Sequence, residues 1–161
     1  MPNSYNPQVS WQQEAVILHS LRLLHSFQHW TGYALIDTNA APLLVAQRLF
    51  EADFVVVSHS TEADPIFNYG NSKALELWQL DWETFTSLPS RCSTEPVAQS
   101  ERSHKLAGVK NKGYISNFRG IRISSKGNRF CIEDGIIWNI LDEEQRPCGQ
   151  AATFSRWSAI A

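Results

Sequence analysis

The chain has 161 residues, 43% hydrophobic and 19% charged, with a formal net charge of −2. That is one domain's length, with enough apolar residues to bury a core and too many for a disordered chain. The near-neutral balance excludes a global electrostatic pull toward nucleic acid or an anionic membrane.

The N-terminus shows no basic stretch followed by a cleavable apolar run, which argues against secretion. The most apolar segment, Ala41 to Val57, carries Arg48, Glu51 and Asp53. It cannot cross a bilayer without burying those charges. Cys92, Cys131 and Cys148 are too scattered for a zinc box and odd in number. The expectation is a soluble, cytoplasmic protein with reduced thiols and neither a membrane nor a nucleic-acid partner.

In chain order, Trp11, Ala15, Leu18, Leu21, Leu24, Phe27 and Trp30 fall at helical spacing. Thr31-Gly32 stops that helix. Pro42 suits the first turn of a second, running to about Ala52. Phe54 to Ser58 reads as a buried strand, "STEADP" as a turn and Ile66 to Tyr69 as a second strand. Asn71 or Ser72 can cap a helix whose Ala74, Leu75, Leu77 and Trp78 form one face. "DWETF" is a short helical turn and "LPSRCSTEP" a loop. Thr94 is the expected N-cap of a further helix, with Pro96 in its first turn and its end before Gly108 or Gly113. Then "YISNFRGIRIS", "RFCIEDGIIWNIL" and "GQAATFSRW" alternate with period two, separated by "SSKGN" and "DEEQRPCG". They predict a three-strand antiparallel meander.

A two- or four-residue loop centred on Lys126-Gly127 pairs Ile123 with Phe130 and Ile121 with Ile132. Ile121, Ile123, Phe130, Ile132, Ile136, Trp138 and Ile140 then share one face, because a one-residue slip would flip every side chain. The same register sets Arg119 opposite Asp134 amid apolar neighbours. Charges there need a partner. They form a mutual salt bridge, lie at an exposed sheet end, or line a cavity and orient a polar ligand group.

"NYGN" before a helix could present N–H groups to a phosphate, but the glycine spacing of a P-loop or dinucleotide fingerprint is absent. A structural turn capped by Asn71 is the favoured reading. His104 could ligate haem iron or act as a base; the competing reading is a solvated helix histidine. His19, His25, His29 and His59 show no metal spacing. No nucleophile elbow is present. Arg102, Lys105, Lys110, Lys112, Arg119, Arg122, Lys126 and Arg129 read as a solvated helix and hairpin, in preference to a surface for an acidic partner.

"IFNYGNSKALELWQLDWETF" resembles the PAS stretch in which Asn and Ala open the first helix and an acidic turn follows. "LPSRCSTEPV", "GYISNFRGIRISSKGNRFCIEDGIIWNILDE" and "GQAATFSRW" together resemble the MEKHLA domain, a PAS-related family. It is found as stand-alone bacterial, notably cyanobacterial, proteins and at the C-terminus of plant class III homeodomain–leucine-zipper regulators. The likeness runs from about Trp11 to Trp157 and is strongest from Asp64 on. No homeodomain or zipper stands in these residues, so DNA binding does not carry over. The reactive Cys of flavin photosensors, in an Asn-Cys-Arg-Phe-type helix, has no match around Cys92.

The resemblance implies an α+β, PAS-like, five-stranded antiparallel sheet with flanking helices. A helical segment, residues 1–52, would pack on a domain of residues 53–161. It also implies ligand or signal sensing, or protein interaction, without catalysis. Tyr69, Leu75, Trp78, Arg119, Asp134, Trp138 and Thr153 are the expected lining of a small-molecule site, its cofactor or ligand unnamed. A homodimer through the N-terminal helix is the expected assembly. Two rivals stay open: an enzyme using Arg119, Asp134 or Glu133 on the concave sheet face, and a dimerisation module with a filled core.

Overall fold

A computed structural model describes residues 10–161. Residues 1–9, where the expected 1–52 segment begins, lie outside the described residues. A short 3-10 turn, Ser10–Gln12, buries Trp11 and leads into α1 (Glu14–Thr31). Gly32 ends α1 at φ 83°, a left-handed conformation that costs glycine nothing, and its N–H bonds the Gln28 carbonyl. α2 (Pro42–Phe50) starts on its proline. β1 (Val55–His59) is buried throughout, and β2 (Phe67–Gly70) pairs with it antiparallel.

α3 (Ser72–Trp78) is capped by Asn71, whose side chain accepts from the Ala74 N–H at 3.2 Å. α4 (Trp82–Phe85) is capped by Asp81 in the same way. Both helices begin where a short polar side chain meets an orphan backbone donor. Thr94 does not cap the next helix. A 3-10 turn over Pro96–Ala98 intervenes, α5 (Gln99–Lys112) starts five residues after Thr94, and the Thr94 hydroxyl has no partner among the described residues.

The last third holds four strands: β3 (Tyr114–Ile123), β4 (Arg129–Leu141), β5 (Pro147–Phe154) and β6 (Arg156–Ile160). The sheet order is β2-β1-β5-β4-β3, with β6 pairing the first half of β4. The five expected strands become six because "GQAATFSRW" breaks at Ser155. β5 pairs Ile136 to Leu141 of β4, and β6 pairs Arg129 to Glu133. The break falls where β4 itself bulges.

The expected register of β3 on β4 is overturned. Ile123 pairs with Arg129, Arg122 with Phe130, Ile121 with Cys131 and Gly120 with Ile132. The loop has five residues, Ser124 to Asn128, closed by Ser124 N–H to the Asn128 carbonyl at 2.9 Å. Gly127 turns it at φ 83°. Gln79 Oε1 fastens it from outside, accepting from Ser124 Oγ and Asn128 Nδ2, each at 2.7 Å. An odd loop flips the hairpin, so Ile121 is exposed and Arg122 shares a face with Phe130.

A second shift follows. Asp134 sits at φ 54°, and the extra residue reverses the alternation of β4. Phe130, Ile132 and Ile137 therefore face one layer, and Ile136, Trp138 and Ile140 the other. The single apolar face expected from Ile121 to Ile140 does not exist.

Two cores result. Val55, Val57, Phe67, Trp78, Phe85 and Phe154 join Phe130, Ile132 and Ile137 between the sheet and α3, α4 and α5. On the other face, Leu23, Leu24 and Phe27 of α1, with Val45 and Leu49 of α2, cover Val56, Tyr69, Trp138 and Ile140. The C-terminal half of the N-terminal stripe, from Leu21 on, is thus spent on the chain's own sheet, while Ala15 and Leu18 stay exposed.

Candidate functional site

The inner layer is not completely filled. Val57, Ala152, Ile137, Ile132 and Phe118 of the sheet face Trp78 of α3 and Leu106 of α5 across a cavity of about 50 Å³. That holds one to a few waters; pockets for drug-sized ligands run from about 300 Å³ upward. A groove of about 250 Å³ adjoins it along the seam between α5 and strands β1 and β5, sharing His59, Arg102, Leu106 and Gln150. Gln150 stands between the two spaces, donating to the Leu106 carbonyl at 2.9 Å and to Asn139 Oδ1 at 3.2 Å.

α5 closes one side of this enclosure. Val109 is its one buried residue. Leu106 packs half-buried against the inner core, and polar contacts hold the rest. Asn139 Nδ2 donates to the Val109 and Lys110 carbonyls, and Gln99 Nε2 to those of Arg91 and Thr94. A helix held this way opens more readily than one anchored by an apolar face.

Two arginines border the cavity. Arg102, on α5, donates to Ser90 Oγ at 2.9 Å. Arg122, on β3, donates to the Ile121 carbonyl at 2.9 Å, and its guanidinium lies 5.3 Å from the centre of the Phe118 ring. Burial pushes the pKa of each down to about 10; for Arg122 the nearby Arg102 charge adds to the shift and Glu101 opposes it. Both stay protonated at neutral pH. Gly120 makes the room: a Cβ there would meet the Phe118 ring at 2.7 Å and the Arg122 guanidinium at 3.1 Å.

His59 completes the polar rim. Its Nδ1 lies 2.9 Å from the Ser60 carbonyl, which can only accept, so Nδ1 carries the proton. Burial lowers the His59 pKa, opposed by the Ser60 bond, and Arg102 lowers it further. The neutral ring leaves Nε2 without a partner among the described residues, as is Nε1 of Trp78. Both residues border the cavity.

The residues expected from sequence divide. Trp78 and Thr153 border the cavity. Thr153 Oγ1 is itself engaged by the Val55 carbonyl at 2.8 Å. Leu75 packs against the inner core without lining the cavity. Tyr69 and Trp138 belong to the opposite layer, beneath α1, because β2 and β4 present them there. Burial raises the Tyr69 pKa, with the Ser20 hydroxyl pulling the other way.

Arg119 and Asp134 do not pair: Arg119 is exposed, and Asp134 bonds Arg156 at 2.8 Å on the surface. Arg119 lies between the Phe118–Gly135 and Gly120–Ile132 pairs, so the bulge leaves the two backbones near each other, and Asp134 turns to Arg156 instead. His104 is exposed on α5 and does not border the cavity. Sequence reasoning placed Arg102 and Arg122 among solvated cations. The available signal was "FRGIRI", where a glycine beside alternating Arg and Ile marks room on one face. Among the described residues, no group of three His, Cys, Asp or Glu is placed to hold a metal ion, and no helix is long and apolar enough to cross a membrane.

The model of the MEKHLA domain matches residues 17–159. A homeobox-leucine zipper protein of Arabidopsis thaliana, ATHB-9, is 21% identical over 103 residues, which is 64% of this chain and 12% of that protein. Among solved structures, a PAS domain from Colwellia psychrerythraea superposes with a TM-score of 0.59 at 16% identity, over 71% of this chain and 92% of that one. An RNA-binding light-oxygen-voltage receptor gives 0.62 at 15%, over 75% of this chain and 34% of that one. A PAS domain from a two-component sensor histidine kinase gives 0.54 at 15%, over 71% and 91%. At such identities the likeness carries the fold, which is that of a PAS domain.

Proposed function

The chain belongs to the MEKHLA domain family, and we propose that it is a non-catalytic sensory domain that takes a small molecule between its sheet and α5. The observation that carries this reading is the pair of buried, unpartnered nitrogens bordering one cavity, Trp78 Nε1 and His59 Nε2. Most buried polar groups in native proteins are satisfied; Tyr69 Oη and Thr94 Oγ1 are also without partners among the described residues, but only the two nitrogens border the cavity. A ligand that displaces α5 or Gln150 would join cavity and groove and meet both nitrogens. The reading includes a cytoplasmic, stand-alone bacterial protein of cyanobacterial type. It also includes a homodimer through the N-terminal segment, where Leu18, Leu43 and Leu44 remain exposed for a second copy.

Native mass spectrometry of freshly purified protein tests it, with Ala152→Leu as the cavity-filling control. Ala152 packs against the inner core and borders the cavity. A retained small molecule that Ala152→Leu loses is the expected result. An empty protein whose Trp78 indole resonance responds to no member of a library of small neutral and charged compounds would remove the reading.

A further inference from the structure

We infer that the ligand is an organic carboxylate with a flat apolar body, its carboxylate held between the guanidiniums of Arg102 and Arg122. This rests on the reading of the cavity as a ligand site. Both arginines are partly buried, both border the same space, and neither pairs with a carboxylate among the described residues. Residues 1–9 contain no Asp or Glu to supply one.

The neighbouring acids are already engaged. Glu101 pairs with Lys105 at 3.3 Å, Glu95 with Arg129 at 2.6 Å and Asp64 with Arg91 at 3.1 Å. Two cations from different elements bordering one apolar space, with Glu101 acting on Arg122 only at a distance and neither guanidinium paired with a carboxylate, are unfavourable unless something else neutralises them. A planar carboxylate matches the guanidinium fork, and Phe118 holds that of Arg122 in place before any ligand arrives. The rest of the enclosure is apolar and aromatic: Trp78, Phe118, Ile132 and Leu106. The ligand is therefore expected to carry its charge at one end and a ring or short chain at the other.

The test uses the full chain with phenylacetate, phenylacetamide and phenyl phosphate, followed by titration calorimetry and by the Trp78 indole resonance. Phenylacetate is expected to bind at least tenfold more tightly than phenylacetamide, its neutral counterpart. Arg102→Gln and Arg122→Gln should each remove most of that difference, weakening phenylacetate far more than phenylacetamide, whose carbonyl is a neutral acceptor. Arg102→Lys and Arg122→Lys keep the charge without the fork and should fall between; they also carry the test if a Gln variant does not fold. Equal binding of acid and amide, with Trp78 responding to both, would overturn the carboxylate anchor and leave the cavity as a ligand site. Tighter binding of phenyl phosphate would overturn the choice of carboxylate. No binding by any of the three would overturn the inference, and the retained-ligand experiment would then decide the cavity separately.

Discussion

Trp138 Nε1 donates to the Leu23 carbonyl at 3.2 Å, joining the C-terminal half of β4 to the middle of α1. Phe27 packs edge-on against the same indole at 5.1 Å. Leu23, Phe27, Tyr69 and Trp138 are fully buried in this layer. Removing residues 1–32 would expose Trp138, Tyr69 and Ile140 together, a patch that a monomer does not leave open. The truncated chain should aggregate or melt at a clearly lower temperature. Phe27→Ala should cost about 3–5 kcal/mol in urea unfolding. A truncated, soluble monomer with an unchanged melting temperature would contradict this.

His19 gives that layer a pH dependence. Its Nε2 lies 2.8 Å from Ser58 Oγ, which donates onward to Asn68. Burial, with Arg22 nearby, lowers its pKa from 6.5 to about 4. Between those values the unfolded chain binds a proton that the folded chain refuses, so stability is complete above pH 6.5 and is lost as pH falls toward 4. The loss is at most about 3 kcal/mol. The lowered His59 acts in the same direction. Denaturant titrations from pH 7 to 4.5 should show falling stability, and His19→Gln should flatten the curve. A wild-type curve that is already flat would sink the argument.

The bulge at Asp134 separates the observed strand from the regular one that its alternation suggests. At φ 54° a β-branched residue is strained, so Asp134→Val should destabilise by about 1–3 kcal/mol. Asp134→Gly loses only an exposed ion pair and gains conformational freedom, and should stay within about 1 kcal/mol of the parent. In a regular strand the ranking would reverse, since valine favours strands and glycine weakens them. Arg119→Ala should be neutral within about 0.5 kcal/mol, because its side chain holds nothing in place. Equilibrium unfolding of the three variants checks the order.

The same bulge shows where the sequence was legible and where it was not. Helices announced themselves by period and punctuation: Gly32 and Gly113 stop α1 and α5, Pro42 opens α2, and Asn71 caps α3. Those signals are local, and the order of elements followed from them. Strand faces are not local. Alternation in "RFCIEDGIIWNIL" is blind to one residue inserted at Asp134, yet that residue exchanges the environments of Ile136 and Ile137. The odd loop after Ile123 depends on Gln79, forty-five residues from Ser124, which accepts the loop's hydrogen bonds. Both shifts bear on the site. They turn Arg122 inward, leave Arg119 outside and place Trp138 beneath α1.

Asn71, at the turn of "IFNYGNSKALELW", is the joint of the whole entry half. It is fully buried. Its Oδ1 accepts from the Val56 and Ala74 N–H groups at 3.1 and 3.2 Å. Its Nδ2 donates to the Phe54 and Leu49 carbonyls at 2.8 and 3.2 Å. One amide thus ties α2, β1 and α3 together, and it occupies the Ala74 N–H in the first turn of α3. Asn71→Ala should cost at least about 3 kcal/mol, since buried donors and acceptors are left without partners. A loss of about 1 kcal/mol would mark an ordinary helix cap instead. Asn71→Asp keeps the acceptor but turns a charged oxygen toward two carbonyls. That carboxyl should have a folded pKa above its unfolded value, so the variant's deficit is largest at neutral pH and shrinks as pH falls through the folded pKa. Urea unfolding of the parent and Asn71→Asp at pH 7 and pH 5 measures the difference. A gap that does not narrow in acid would mean that the amide donor is not what holds the joint.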